Sequence, residues 1–321
     1  MLDSQMEKKF RDQARMLANR VKKRFKHLRK RFARQQIDIF RLYDWDIPEI
    51  RAVVDWYGGH LVVGEYTRRQ SVPEWLPLMG AAVGEALEVP AEQVHLKERR
   101  AGKQEGRRYT RLDHTDRKIV MRERDLEFLI NPYDYVDTGL FADHRDTRLM
   151  VGELAAGKDV LNLYCYTGAF TCYAAKGGAR SSVSVDRSET AIRWAHENLA
   201  LNAISEKAHR LVQQHTFDYL RRACRQGAAF DLAIVDPPSF STSKARNQEF
   251  DIVRDHPRLL KLVVTLMRPG GLIFFSTNHQ QFVPDMDDLA VIKIEEITER
   301  TLPEDYRTTR RVIHRCWRIE V

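Results

Sequence analysis

The chain has 321 residues, 43% of them hydrophobic and 31% charged, and a formal net charge of +8. That length accommodates about two domains and a large core; no apolar run reaches the ~20 residues of a membrane span, and the basic, broken N-terminus does not read as a signal peptide. Cys165, Cys172, Cys224 and Cys316 lack C-x-x-C spacing and a paired histidine pattern, which argues against zinc or a disulfide framework and for the reduced, buried thiols of a cytoplasmic protein with no metal.

The charge sits at one end. Residues 1–36 carry 13 lysines and arginines against three acidic residues, a net of +10, while the other 285 residues hold 40 basic and 42 acidic side chains, a net of −2. Met6, Phe10, Ala14, Leu17, Val21, Phe25, Leu28 and Phe32 recur every three or four residues, so a long basic amphipathic helix is predicted over 1–36. Its apolar face would dock, and Lys22, Lys23, Arg24, Lys26, Arg29, Lys30 and Arg31 would meet RNA phosphates. A membrane surface is the alternative partner for such a helix.

Residues 37–130 read as a small α+β module with RNA-binding character. Short β-like runs at Phe40–Tyr43, Val53–Tyr57 and His60–Tyr66 precede a helical stretch between Pro73 and Pro90. A strand at Gln93–Lys97, a polar Arg- and Gly-rich loop over Arg99–Arg117 and a hairpin of Ile119–Met121 with Leu126–Ile130 follow. Residues 131–321 form the larger domain. Strands at Val160–Tyr164, Ser182–Val185, His209–Gln213, Leu232–Val235 and Leu272–Ser276 alternate with helices at Ala169–Lys176, Glu189–Leu201, Phe217–Arg225 and Ile252–Met267. This alternation predicts a doubly wound, mostly parallel sheet, and Ile292–Thr298 with Val312–Ile319 complete seven strands with an antiparallel edge.

Three segments carry chemistry. Leu161–Tyr164 runs through Cys165-Tyr166-Thr167-Gly168 into a helix, and Gly168 lets backbone approach a ligand. Asp186 lies 18 residues beyond Gly168 at the end of the next strand, close to the ~20-residue spacing at which a carboxylate meets a ribose hydroxyl pair. Gly168 is the one glycine between Leu161 and Lys176, so a dinucleotide pyrophosphate is poorly served and an adenosyl cofactor without phosphates fits better. Asp236-Pro237-Pro238-Ser239-Phe240 closes the apolar run Phe230–Val235; the prolines remove two amide donors and leave a carboxylate, carbonyls and a ring at the ligand-binding end of the sheet. A plain proline turn with Phe240 in the core is the other reading of that motif.

Together these motifs resemble class I S-adenosylmethionine-dependent methyltransferases. With Tyr135-Val136-Asp137-Thr138-Gly139-Leu140-Phe141-Ala142-Asp143-His144-Arg145, the 161–168 motif and Asp236–Lys244, the chain is similar over about 300 residues to the N7-guanine-methylating C-terminal half of bacterial bifunctional 23S rRNA methyltransferases. The resemblance implies a Rossmann-like fold, S-adenosyl-L-methionine as cofactor and 23S rRNA or its assembly precursor as substrate. It also implies a stand-alone enzyme with a separate N2-guanine methyltransferase as a partner.

It places Phe141, His144 and Arg145 against the cofactor, Arg145 partnering its carboxylate. Tyr166, Thr167 and Gly168 would wrap the methionine end, Asp186 and Arg187 border the ribose, and Asp236, Pro237, Pro238 and Phe240 line the reacting centre. One position departs from the pattern: where an acidic residue usually faces adenine, the chain has His215 beside Thr216, which leaves backbone groups or Asp218 to read the base. Leu272–Asn278 contains no cysteine, which disfavours cytosine C5 methylation by covalent addition. Guanine N7 has a free lone pair and needs positioning alone, whereas N2 must lose a proton, for which Asp236 is the motif-placed base. An extruded guanine would stack on Phe240, with Ser239, Ser241, Ser243 and Lys244 on the nucleotide. A catalytically silent RNA-binding assembly factor is the non-enzymatic alternative.

Overall fold

A computed structural model describes residues 4–68, 71–100, 111–241, 249–308 and 311–321. The chain separates into two units, one of Met1–Asp125, Ile130–Thr138 and Thr308–Arg310, the other of Leu126–Leu129, Gly139–Arg307 and Arg311–Val321.

In the first unit the basic segment forms α1 (Ser4–Arg34). Ala14, Leu17, Val21, Leu28 and Phe32 are buried along one face, as their spacing predicts. Strands β1 (Ile39–Asp44), β2 (Ala52–Tyr57) and β3 (His60–Thr67) are antiparallel neighbours, with Val54 opposite Val63. The turn at Gly58-Gly59 joins β2 and β3 through two left-handed residues, φ +50° and +111°, which glycine adopts without a Cβ penalty. Helix α2 (Trp75–Leu87) then crosses over to β4 (Val94–Arg100), which is parallel to β3. The apolar faces of α1, α2 and the sheet share one core, and the Trp75 indole N–H donates to Gln13 of α1 at 2.8 Å. Arg41, also buried, donates to Asp55 at 2.8 Å and to Asp44 at 2.7 Å; buried charges persist when paired in this way. Strand β5 (Ile119–Glu123) ends the first run of the unit. Residues 101–110 of the anticipated polar loop lie outside the described residues.

The second unit begins with the first four residues of β6 (Leu126–Ile130). There Asn202 and Asn198 accept from the N–H groups of Glu127 and Leu129, each at 2.9 Å. After α3 (Arg145–Leu154) come β7 (Asp159–Leu163), α4 (Ala169–Lys176), β8 (Ser181–Asp186), α5 (Glu189–Leu201), β9 (His209–Gln213), α6 (Thr216–Arg225) and β10 (Phe230–Val235). Two-residue strands β11 (Phe240–Ser241) and β12 (Phe250–Asp251) pair with each other. Then α7 (Ile252–Thr265), β13 (Met267–Thr277), β14 (Lys293–Glu296), α8 (Thr298–Thr301) and β15 (Arg315–Glu320) complete the chain.

The seven strands lie in the order β14-β15-β13-β10-β7-β8-β9. The β13-β10-β7-β8-β9 series is parallel, and β15 runs antiparallel to both of its neighbours. Alternate residues of the central strands enter separate cores: Leu161, Leu163, Ala233 and Val235 pack with α6 and α7, and Val160, Leu232 and Ile234 with α3 and α4. A sheet buried on both faces explains why these strands read as continuous apolar runs. The order reverses between β7 and β10, and such a switch point opens a crevice beyond the strands' C-terminal ends.

Candidate active site

The loop after β7 is held in a shape that few sequences tolerate. Tyr164, Tyr166 and Gly168 all take left-handed backbone conformations, φ +56°, +50° and +77°, and such conformations in non-glycine residues cluster at ligand sites. A Cβ on Gly168 would come within 3.0 Å of Ala195. Thr167 donates to the Gly139 carbonyl at 2.6 Å while its own carbonyl accepts from Asn198 at 2.9 Å. The Tyr166 ring lies 5.2 Å from Phe141. Loop 164–168 and turn 139–141 are thereby tied together.

Asp186, at the end of β8, is 7% exposed. Its carboxylate accepts from the Tyr166 N–H at 3.0 Å and the Ser188 N–H at 2.9 Å. Burial raises its pKa above the usual carboxylate value, and these backbone donors pull it back. Each oxygen keeps acceptor capacity beyond these two bonds, which suits a vicinal hydroxyl pair. Arg187 is exposed, and Thr216 is buried at the start of α6. His215 precedes that helix; burial lowers its pKa, keeping the imidazole neutral. The neighbouring Gln214 N–H donates to the Asp186 carbonyl at 2.9 Å. Asp218, the other residue considered for adenine, forms an ion pair with Arg221.

Asp236 follows β10. The parallel register pairs Val235 with Phe275, so Asp236 faces the next residue of β13, and Ser276 donates to its Oδ1 at 2.6 Å. Past Pro237 and Pro238, the Ser239 hydroxyl donates to Asn278 at 2.6 Å. Ser276 and Asn278, which the sequence reading noted for the cysteine they are not, therefore pin the motif. Phe240 is half-buried in β11. Ser243 and Lys244 lie outside the described residues.

The segment before α3 reaches the same place. His144 is 5% exposed, with Nε2 3.6 Å from Asp236 Oδ2 and 3.7 Å from Asp143 Oδ2. Arg145 follows it: its side chain is 2% exposed and ion-paired with Asp305, so the cation expected to serve the cofactor's carboxylate already has a carboxylate partner inside the protein. Asp143 stands in the 135–145 motif but was given no role, and Asp305 and His314 escaped the sequence reading. No local pattern announces those two, because the segment between α8 and β15 meets the 141–145 turn through tertiary contacts alone.

A backbone cradle with one glycine, a carboxylate at the end of the second strand and an Asp-Pro-Pro wall at the end of the fourth form a donor and acceptor set that fits an adenosyl methyl donor. The comparisons agree. A family profile of S-adenosylmethionine-dependent methyltransferases matches residues 111–301, and the chain belongs to that family. Its cofactor is S-adenosyl-L-methionine.

Among curated proteins it is 43% identical over 320 residues to the ribosomal RNA large subunit methyltransferase K/L of Allochromatium vinosum, covering 96% of this chain but 42% of that one. It is 42% identical over 311 residues to the ribosomal RNA large subunit methyltransferase K of Neisseria meningitidis serogroup B, covering 94% of this chain and 86% of the relative. The fold is shared with SMU.776, a methyltransferase solved in complex with SAH (TM-score 0.77, 24% identity, 96% of this chain and 81% of that one). It is also shared with a SAM-dependent methyltransferase from Agrobacterium tumefaciens (TM-score 0.62, 16% identity, 88% and 90%). Among the described residues no helix is long and apolar enough to cross a membrane.

Proposed function

We propose that the chain methylates N7 of a guanine in 23S rRNA, acting in the cytoplasm. The observation that carries this reading is Asp236 at the end of β10, anchored by Ser276 and linked through His144 to the turn that Tyr166 and Thr167 hold. The names of the two curated relatives support large-subunit rRNA as substrate.

When bound, S-adenosylmethionine supplies an electrophilic methyl group on a sulfonium. In this reading Tyr166, Thr167 and Gly168 hold its methionine end, with Phe141 and His144 alongside and Arg145 sharing its charge with Asp305. Asp186 and Arg187 border the ribose, and His215 and Thr216 border the adenine. Asp236 and Pro237 face the reacting centre, Pro238 keeps the loop rigid, and Phe240 stacks on the extruded base. Guanine N7 brings its own lone pair, so the protein has only to position it and set a negative charge where positive charge passes to the purine. The exposed lysines of α1 carry phosphates.

One alternative keeps a specific foothold. N2 methylation requires loss of a proton, and Asp236 is placed to accept one. C5 methylation is disfavoured, because Leu272–Asn278 supplies no cysteine nucleophile and Cys316, the β15 neighbour of Ser276, is buried with its thiol pKa pushed up by desolvation.

Large-subunit rRNA treated with the full chain and S-adenosylmethionine, then digested to nucleosides, is expected to yield 7-methylguanosine by mass spectrometry, and Asp236→Asn to lower kcat/KM by about 100-fold or more. N2-methylguanosine or 5-methylcytidine in its place would reassign the target atom. Full cellular complementation by an inactive Asp236→Ala chain would favour the assembly-factor reading.

A further inference from the structure

Asp143, His144 and His314 bring one ligating atom each to within 4.8 Å of one another, yet they do not converge on an ion. The two imidazoles are stacked, with centroids 4.2 Å apart and planes at 11°. Their in-plane lone pairs therefore run in parallel planes and meet at no common point. The arrangement is a network of protons and charges.

Its geometry follows from the hydrogen bonds. His314, 1% exposed, meets Asp143 through Nδ1 at 3.0 Å and the Thr301 hydroxyl through Nε2 at 3.1 Å. The Thr301 hydroxyl also lies 3.0 Å from the Thr298 carbonyl. Both ring nitrogens of His314 are thereby held, which fixes the plane of the ring.

His144 beneath it is different. Its Nδ1 is buried without a hydrogen-bond partner, so a proton there would be a buried, unsatisfied donor. The neutral ring with its proton on Nε2, facing Asp236 and Asp143, avoids that.

We infer that His314 is a positioning residue for the methyl-transfer site: its stack, fixed by Asp143 and Thr301, holds the His144 ring with Nε2–H toward Asp236. This inference rests on the proposed methyl transfer at Asp236. The groups facing His144 are Asp236 after β10, Asp143 on its own turn, His314 before β15, Arg148 on α3 and the Phe170 ring on α4. Burial lowers the His144 pKa, the two carboxylates oppose that shift, and His314 and Arg148 reinforce it. Without His314, His144 takes a proton at higher pH; the resulting cation pairs with Asp236 and the rate falls.

The test titrates His144 by NMR in histidine-labelled full-length protein, beside methylation of large-subunit rRNA across pH. In His314→Gln the His144 midpoint and the acid limb of the rate profile should both rise by about one pH unit or more. The isosteric Thr301→Val, which removes one of the two hydrogen bonds that fix the His314 ring, should move both the same way by less. An unchanged His144 midpoint in both variants, or an equal loss of rate at every pH, overturns the inference. Wild-type protein that binds S-adenosylhomocysteine but leaves the RNA unmethylated would defeat the proposed function, and the NMR shift would still decide the charge state of His144.

Discussion

Gly139 shows how narrow the tolerances of the 139–141 turn are. It sits at φ +109°, and a Cβ there would lie 2.3 Å from the Trp194 ring, whose indole N–H is itself engaged by the Leu129 carbonyl at 3.0 Å. Gly139→Ala is therefore expected to cost about 2 kcal/mol or more in urea denaturation, since strain and overpacking act together; a change within 0.5 kcal/mol, ordinary for surface substitutions, would show that the turn yields. At this scale legibility depended on sequence distance. Gly168 and Asp186 could be found because a strand, a turn and a helix fix their separation. His314 and Asp305 could not, because nothing near them in the chain indicates that they close on the 141–145 turn.

Helix α1 carries two roles on two faces. Its stripe was legible from periodicity alone, and Leu17 and Val21 are fully buried. Removing the helix would expose the first unit's core, so deletion cannot isolate its charge. Lys22, Lys26 and Lys30 are exposed, and changing all three to Gln should leave the denaturation midpoint in place while reducing the slope of log affinity for RNA against log salt by about 2 to 3. Leu17→Ala should do the reverse, destabilising by about 2–5 kcal/mol with the salt slope unchanged. A salt slope insensitive to the three glutamines would remove α1 from the RNA contact.

Helices α4 and α5 and strand β9 match their predicted spans, because capping residues and hydrophobic spacing are local signals. Strand β13 begins earlier than Leu272, running through Pro269-Gly270-Gly271. There the Gly270 N–H donates to the Val321 carbonyl at 2.5 Å and the Gly271 carbonyl accepts from the Val321 N–H at 2.9 Å. Pairing with the chain's far end overrides poor local propensity.

For the whole molecule, cofactor binding should appear as stability. A ligand that binds only the folded chain adds about 2.7 kcal/mol at a concentration of 100 times its Kd, so S-adenosylhomocysteine should raise the thermal midpoint of the wild type. Asp186→Ala should abolish most of that rise and weaken binding by calorimetry; an undiminished rise would place the nucleoside elsewhere. The sequence by itself determined the class of sheet, the turn at Gly168 after its first strand and the carboxylates at the ends of the second and fourth strands, because each depends on hydrophobic period, a glycine or a short spacing. Only the tertiary structure decided how Asp236 is held. Ser276 reaches it through parallel strand register, and His144 reaches it through a turn stacked on His314. Side chains far apart in sequence meet there because antiparallel β15 inserts beside β13, and no local pattern encodes that pairing.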